Sequence, residues 1–113
     1  MGYYASMAEG ALVISNEKLE EVTELVSVIY PDYSDLMSLI EDMGYEAEGG
    51  EGDEDLVITY FSGKWGDQDK FINMLALYCE DTFLHYVGED GEHWGHEIKD
   101  GVFTQRIGRV VWV

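Results

Sequence analysis

Residues 82–113 read TFLHYVGEDGEHWGHEIKDGVFTQRIGRVVWV. Two Asp-Gly pairs, Asp90-Gly91 and Asp100-Gly101, interrupt stretches rich in aromatic and β-branched residues, and Asp-Gly is a strong local signal for a tight hairpin. The segment predicts an antiparallel meander of three strands. If both connections are two-residue loops, the register follows. His85 lies opposite His96 and Val87 opposite Trp94 in the first hairpin. In the second, His96 meets Gln105, Trp94 meets Ile107 and Ile98 meets Phe103. One face is then apolar and crossed by a His85-His96-Gln105 row, while the other holds Tyr86, Gly95 and Arg106, with Glu97 opposite Thr104. Side-chain direction alternates along a strand, so a slip of one residue would turn every side chain to the other face.

Upstream of the meander, Tyr3 to Ile14 is an apolar strand with an irregularity near Gly10. Ser15 or Asn16 can cap a helix whose first turns hold Glu17, Glu20 and Glu21, where carboxylates complement the positive end of the helix dipole. Leu19, Val22, Val26 and Ile29 form its buried stripe. Pro31 stops it, and Ser34 or Asp32 can cap a second helix carrying Leu36, Leu39, Ile40 and Met43, ended by Gly44. Tyr45–Glu48 and Leu56–Phe61 read as a hairpin around the glycine-rich turn Gly49-Gly50-Glu51-Gly52-Asp53. Asp67 can cap a third helix with Phe71, Met74, Leu75 and Tyr78 inward, together with Ile72 or Cys79. The order β, α, α, β, β, α, β, β, β predicts an α+β fold, an antiparallel sheet with about three helices on one face, in a ferredoxin-like variant.

The chain has 113 residues, 24 acidic and 6 basic, for a net charge of −18. The charge has a location. Residues 1–63 hold fifteen carboxylates against one ammonium, Lys18, a net of −14; residues 64–113 hold nine against five cations, a net of −4. Such a surface repels nucleic acid and anionic membrane and steers cationic partners toward itself. With 46% apolar or aromatic residues, the chain has the material for a core. One domain over 1–113 is expected at this length. The lone Cys79 forms no internal disulfide, no secretory leader pattern follows Met1, and no apolar run reaches the roughly 20 residues that span a bilayer. A cytoplasmic protein, in a bacterial host, is the expectation.

Two acidic segments are candidate partner-binding surfaces. Glu17, Glu20 or Glu21, and Glu24 lie three or four residues apart on one helix face, spaced about 5–6 Å, comparable to charges along a nucleic-acid strand. Glu46, Glu48, Glu51, Asp53, Glu54 and Asp55 surround the glycine-rich turn. The latter is not an EF-hand loop, because it runs into a strand where a terminal Glu and a helix are needed. A solvated loop that guards a hairpin edge, and an acidic but ordinary helix face, are the plain alternatives. His93 and His96 sit three apart on a strand and point to opposite faces, which leaves only His85 with His96 as a two-ligand metal or sensor site. Zinc takes four ligands, and a hydrogen-bonded polar row is the competing reading. No serine has a nucleophile elbow, Gly63-Lys64-Trp65-Gly66 is not a phosphate loop, and Cys79 sits in an apolar stripe. No enzyme and no cofactor are expected.

The opening Met1-Gly2-Tyr3-Tyr4, the turn Gly88-Glu89-Asp90-Gly91 and the closing Gly108-Arg109-Val110-Val111-Trp112 resemble small uncharacterised acidic proteins of actinobacteria and their phages. The resemblance implies a compact phage-type α+β domain and supplies no catalytic residues. Small size with extreme acidity is also similar, at the level of class, to phage inhibitors of host defence, the anti-restriction and anti-CRISPR proteins that imitate DNA. The expected function is therefore a non-enzymatic inhibitor or decoy whose partner is a basic nucleic-acid-binding host protein, with no direct contact to nucleic acid or membrane. The alternative is a small structural or assembly module, a homodimer paired through an exposed strand, whose acidity serves solubility.

Overall fold

Gly10 breaks the first strand in two. It adopts φ +114°, a conformation that side-chain-bearing residues rarely adopt, and the chain on either side pairs in different registers. The computed structural model describes residues 3–33 and 35–107. Its strands are β1 (Tyr4–Glu9), β2 (Leu12–Ile14), β3 (Tyr45–Gly49), β4 (Leu56–Lys64), β5 (Thr82–Gly88), β6 (His93–Lys99) and β7 (Val102–Ile107). Its helices are α1 (Leu19–Ile29), α2 (Leu36–Asp42) and α3 (Gln68–Leu75), with 3-10 turns at Asn16–Lys18 and Ala76–Tyr78. The fold is α+β, a seven-stranded antiparallel sheet with three helices among the described residues.

β1 and β2 follow one another along the same edge of β4, from Tyr4↔Lys64 to Ile14↔Leu56, with the extra residues accommodated at the Gly10 bulge. β3 takes the other edge of β4. β1 also pairs with β5, and the meander continues through β6 to β7. One core joins all layers: Val22 and Val26 of α1, Leu36, Leu39 and Ile40 of α2, and Phe71, Ile72 and Leu75 of α3 are buried with Leu12, Ile14, Ile58, Phe61, Leu84, Tyr86 and Ile98. The predicted α1 stripe is narrower than its spacing suggests. Leu19 is only partly buried and Ile29 is exposed at the helix end.

Three local readings are corrected. The α2 cap is Asp35, whose carboxylate accepts the Ser38 N–H at 2.7 Å, the spacing an N-cap needs. Asp32 lies in the preceding turn, and Ser34 lies outside the described residues. Asp67 occupies the α3 cap position without a side-chain bond. The buried Gln68 instead fastens that end: its Oε1 accepts the Gly66 N–H at 2.5 Å and its amide nitrogen donates to the carbonyls of Met43 and Lys64. At α1, neither Ser15 nor Asn16 caps with its side chain, for a reason given below.

The largest correction concerns the first hairpin of the meander. Asp100-Gly101 forms the two-residue loop, both residues at positive φ (+53° and +79°), and the β6–β7 register is the predicted one, including His96↔Gln105 and Ile98↔Phe103. Asp90-Gly91 does not form such a loop. Gly88 and Glu92 close around three residues, with the Gly88 N–H bonded to the Glu92 carbonyl at 2.8 Å and Gly91 at φ +86°, the arrangement of a type I turn followed by a glycine bulge. The Asp90 carboxylate accepts the Glu92 N–H and so supports it. The pairing shifts by one: Leu84↔His96, His85↔Gly95 and Tyr86↔Trp94. His85 and His96 therefore lie on opposite faces, and Tyr86 belongs to the core.

Candidate functional site

All ten predicted carboxylates are exposed: Glu17, Glu20, Glu21, Glu24, Glu46, Glu48, Glu51, Asp53, Glu54 and Asp55. The structure ties the entry of the helix that carries four of them to the turn that carries four others. Asn16, at the entry to α1, bonds across to the β3–β4 turn: its backbone N–H donates to the Asp55 carboxylate at 2.9 Å and its side-chain amide to the carbonyls of Gly52 (2.6 Å) and Glu54 (3.3 Å). That is why it does not cap the helix. The clamp sets Glu17 and the first turn of α1 beside Glu51, Asp53, Glu54 and Asp55. Glu24 follows about 10 Å further along the helix at 1.5 Å per residue. Between the two segments runs a groove of about 300 Å³ lined in part by Leu19, Thr23, Met37 and Leu56 and rimmed by Asp35 and Glu51.

Glu46 and Glu48 are apart from this group. On β3 they alternate with the core-facing Tyr45 and Ala47 and stand opposite Tyr60 and Val57 on the outer face of the sheet.

Few cations oppose these charges. Among the described residues, the salt bridge of a Lys or Arg is Arg106 to Glu97, at 2.5 Å. Lys70 lies over the Tyr30 ring at 5.3 Å. Lys18 acts on Cys79, where burial pushes the thiol up to about 12 against the pull of that ammonium. Cys79 is thus a protonated thiol at neutral pH, with its Sγ bonded to the Leu75 carbonyl.

A second polar assembly was invisible to the sequence. His96 is fully buried; its Nε2 lies 2.6 Å from the Asp69 carboxylate and its Nδ1 3.0 Å from the Tyr86 hydroxyl, which meets the Tyr45 hydroxyl at 2.7 Å. A carboxylate only accepts, so Nε2 carries the proton toward Asp69. Nδ1 then accepts from Tyr86, and Tyr86 accepts from Tyr45. The chain is complete with a neutral imidazole. Burial lowers the His96 pKa, opposed by the hydrogen bond and charge of Asp69, and burial raises both tyrosines. On the outer face, His85 Nε2 and His93 Nδ1 are 2.8 Å apart, with Glu9 at 4.0 Å from His85. Burial, then the neighbouring His93, lowers the His85 pKa, against Glu9. Among the described residues no group of three or more His, Cys, Asp or Glu is placed to hold a metal ion. The loop that sets this register is Glu89-Asp90-Gly91, and its Asp-Gly pair suits a two-residue loop equally, so the sequence carries no signal for it.

Both histidines bind protons more weakly folded than unfolded. Their contribution is present above the ordinary histidine value near 6.5 and is lost as pH falls from there toward the lowered values. Urea midpoints should therefore fall between pH 7.5 and pH 5.5, with a slope of up to about 1.4 kcal/mol per pH unit from His96 and a further contribution of the same sign from His85. A midpoint that holds or rises over that interval would contradict the neutral, buried His96.

No known protein family, described relative or solved structure matches this chain. The geometry stands alone.

Proposed function

We propose that the protein is a non-enzymatic acidic inhibitor or decoy that docks its negative surface on a basic nucleic-acid-binding host protein. One observation carries the reading. The Asn16 clamp ties the start of α1 to the β3–β4 turn, the two segments carry eight exposed carboxylates, and none of these has a Lys or Arg salt bridge among the described residues. Like charges three or four residues apart on a helix, within a net charge of −18, destabilise the fold, so they are retained at a cost. A phage origin, of the anti-CRISPR or anti-restriction type, and a place in the cytoplasm of a bacterial host remain part of the proposal. So does a ferredoxin-like variant with its helices on one face; the order β3-β4-β1-β5, antiparallel throughout with β4 and β1 central, supports it.

The test is a Glu20→Gln, Glu21→Gln, Glu24→Gln, Glu51→Gln, Glu54→Gln variant, compared with the native chain as bait for host lysate at low and high salt. The native chain should retain one nucleic-acid-binding protein that added DNA or RNA displaces. The variant should lose it while its urea midpoint rises, because self-repulsion is relieved. Equal retention by both, with the same salt dependence, would overturn the decoy reading.

A specific observation favours the alternative module. Leu77 and Val102 are 72% and 62% exposed, Leu77 packs beside Gly101, and β7 pairs only with β6 among the described residues. A homodimer through this edge would be insensitive to salt in light scattering and would dissociate in Val102→Lys.

A further inference from the structure

The first hairpin turn of the meander builds a cleft from residues that the acidic clamp does not use. Tyr3, Trp65 and Trp94 supply its aromatic walls, Asp90 and Glu92 its carboxylates, and His93 and Gln105 complete the lining. The Trp65 and Trp94 rings meet edge to face with centroids 4.9 Å apart, and Tyr3 adjoins Trp94 at 6.1 Å.

These walls are fixed by the backbone around them. The Tyr3 carbonyl accepts the Trp65 backbone N–H at 2.7 Å, and the Tyr3 hydroxyl donates to the Asp90 carboxylate. The ring lies across Gly88 so closely that a Cβ there would overlap the hydroxyl. Trp94 is 92% buried, its relative exposure being 8%, and so cannot swing away. The Tyr3 hydrogen bond holds the Asp90 carboxyl below its ordinary range, and the same bond pushes Tyr3 up to about 12. The cleft thus presents aromatic walls, with Tyr3 and Trp65 only partly buried, beside a carboxylate anchored by hydrogen bonds.

We propose that this cleft receives one arginine side chain of a protein partner. The chemistry is complementary in two ways: a guanidinium stacks on aromatic faces, most favourably tryptophan, and its fork of donors matches carboxylate oxygens. Asp90 Oδ1 already accepts from Tyr3 and from the Glu92 N–H. Its second oxygen and the exposed Glu92 carboxylate offer further acceptor sites. Size selects a side chain. The cleft holds about 220 Å³, below the roughly 300–1,000 Å³ of pockets that engulf a whole small molecule. The overall charge of −18 draws basic protein surfaces to the molecule. The inference does not depend on the decoy reading, since it concerns different residues and a different ligand geometry.

The test uses the native protein and capped amino acids, followed by NMR of the Trp65 and Trp94 indole N–H signals. N-acetyl-arginine amide should shift both signals saturably, about tenfold more tightly than N-acetyl-citrulline amide, its uncharged isostere. Free arginine should bind more weakly than the capped form, because its own carboxylate faces Asp90 and Glu92. Glu92→Gln and Tyr3→Leu should each weaken capped arginine about two- to fivefold, with the urea midpoint of Glu92→Gln unchanged. Equal binding of citrulline, or shifts spread over the acidic surface and absent from the two indoles, would overturn the site. Equal or tighter binding of N-acetyl-lysine amide would overturn the guanidinium assignment, and tighter binding of free arginine the assignment to a partner's side chain.

Discussion

His96→Ala should destabilise the protein by about 3–5 kcal/mol, read from urea unfolding at pH 7.5. The residue has no exposed surface and lies among Trp65, Tyr86 and Phe103, so its removal leaves a cavity under the sheet. It also strands groups on both sides. Tyr86 loses the acceptor for its hydroxyl proton, and Asp69 loses the donor at 2.6 Å. The two losses differ in weight, because a buried unsatisfied group retains its full desolvation penalty while an exposed one turns to water. Asp69 is 42% exposed at its side chain. Asp69→Asn, whose carbonyl can still accept from Nε2, should therefore cost only about 1 kcal/mol. Tyr86→Phe falls between them at about 2 kcal/mol, since it unpairs the buried Tyr45 hydroxyl and His96 Nδ1 together. A loss below about 1 kcal/mol in His96→Ala would mean that the imidazole is not packed and bonded as described.

The same histidine shows where sequence reasoning ran out. The helices, the interrupted first strand, the β3–β4 hairpin and the β6–β7 register were legible, because each rests on local chemistry: apolar spacing at helical or strand period, a glycine at a bend, an Asp-Gly loop. The register of β5 on β6 was not, because Asp-Gly suits two loop lengths. At Asp100-Gly101 both residues take positive φ; at Asp90-Gly91 only the glycine does. That single difference moves His85 to the outer face beside His93 and places Tyr86 in the core within reach of His96. The partner Asp69 comes from α3, 27 residues away in sequence, and no periodicity points to it. For the acidic surface, exposure of the ten carboxylates was legible from composition and helix spacing. The link between the start of α1 and the glycine-rich turn was not, because Asn16 reads as a helix cap and instead spans 36 to 39 positions to that turn.

Gly10→Ala should cost about 3 kcal/mol or more, while Gly91→Ala, also at positive φ, should cost about 1 kcal/mol. The contrast isolates sterics from backbone preference. At Gly91 a Cβ would meet nothing within 4 Å, so only the conformational penalty remains. At Gly10 a Cβ would overlap the Phe83 carbonyl oxygen and stand 3.0 Å from the Leu84 Cα, both on the backbone of β5. Backbone in the middle of a paired strand cannot step aside as a flexible side chain does. Relief requires β1 to part from β5, or the bulge between Met7 and Glu9 to be redrawn. Either change pulls on Leu84, which lies opposite His96, and on β2, whose pairing with Leu56–Ile58 positions the Asn16 clamp. Gly10→Ala should therefore lower the urea midpoint and also perturb the indole signal of Trp65, which packs on His96 and Tyr86. Gly91→Ala should shift the midpoint modestly and leave that signal in place. Equal losses in the two variants would show that the close approach of β1 to β5 at Gly10 does not govern the central sheet.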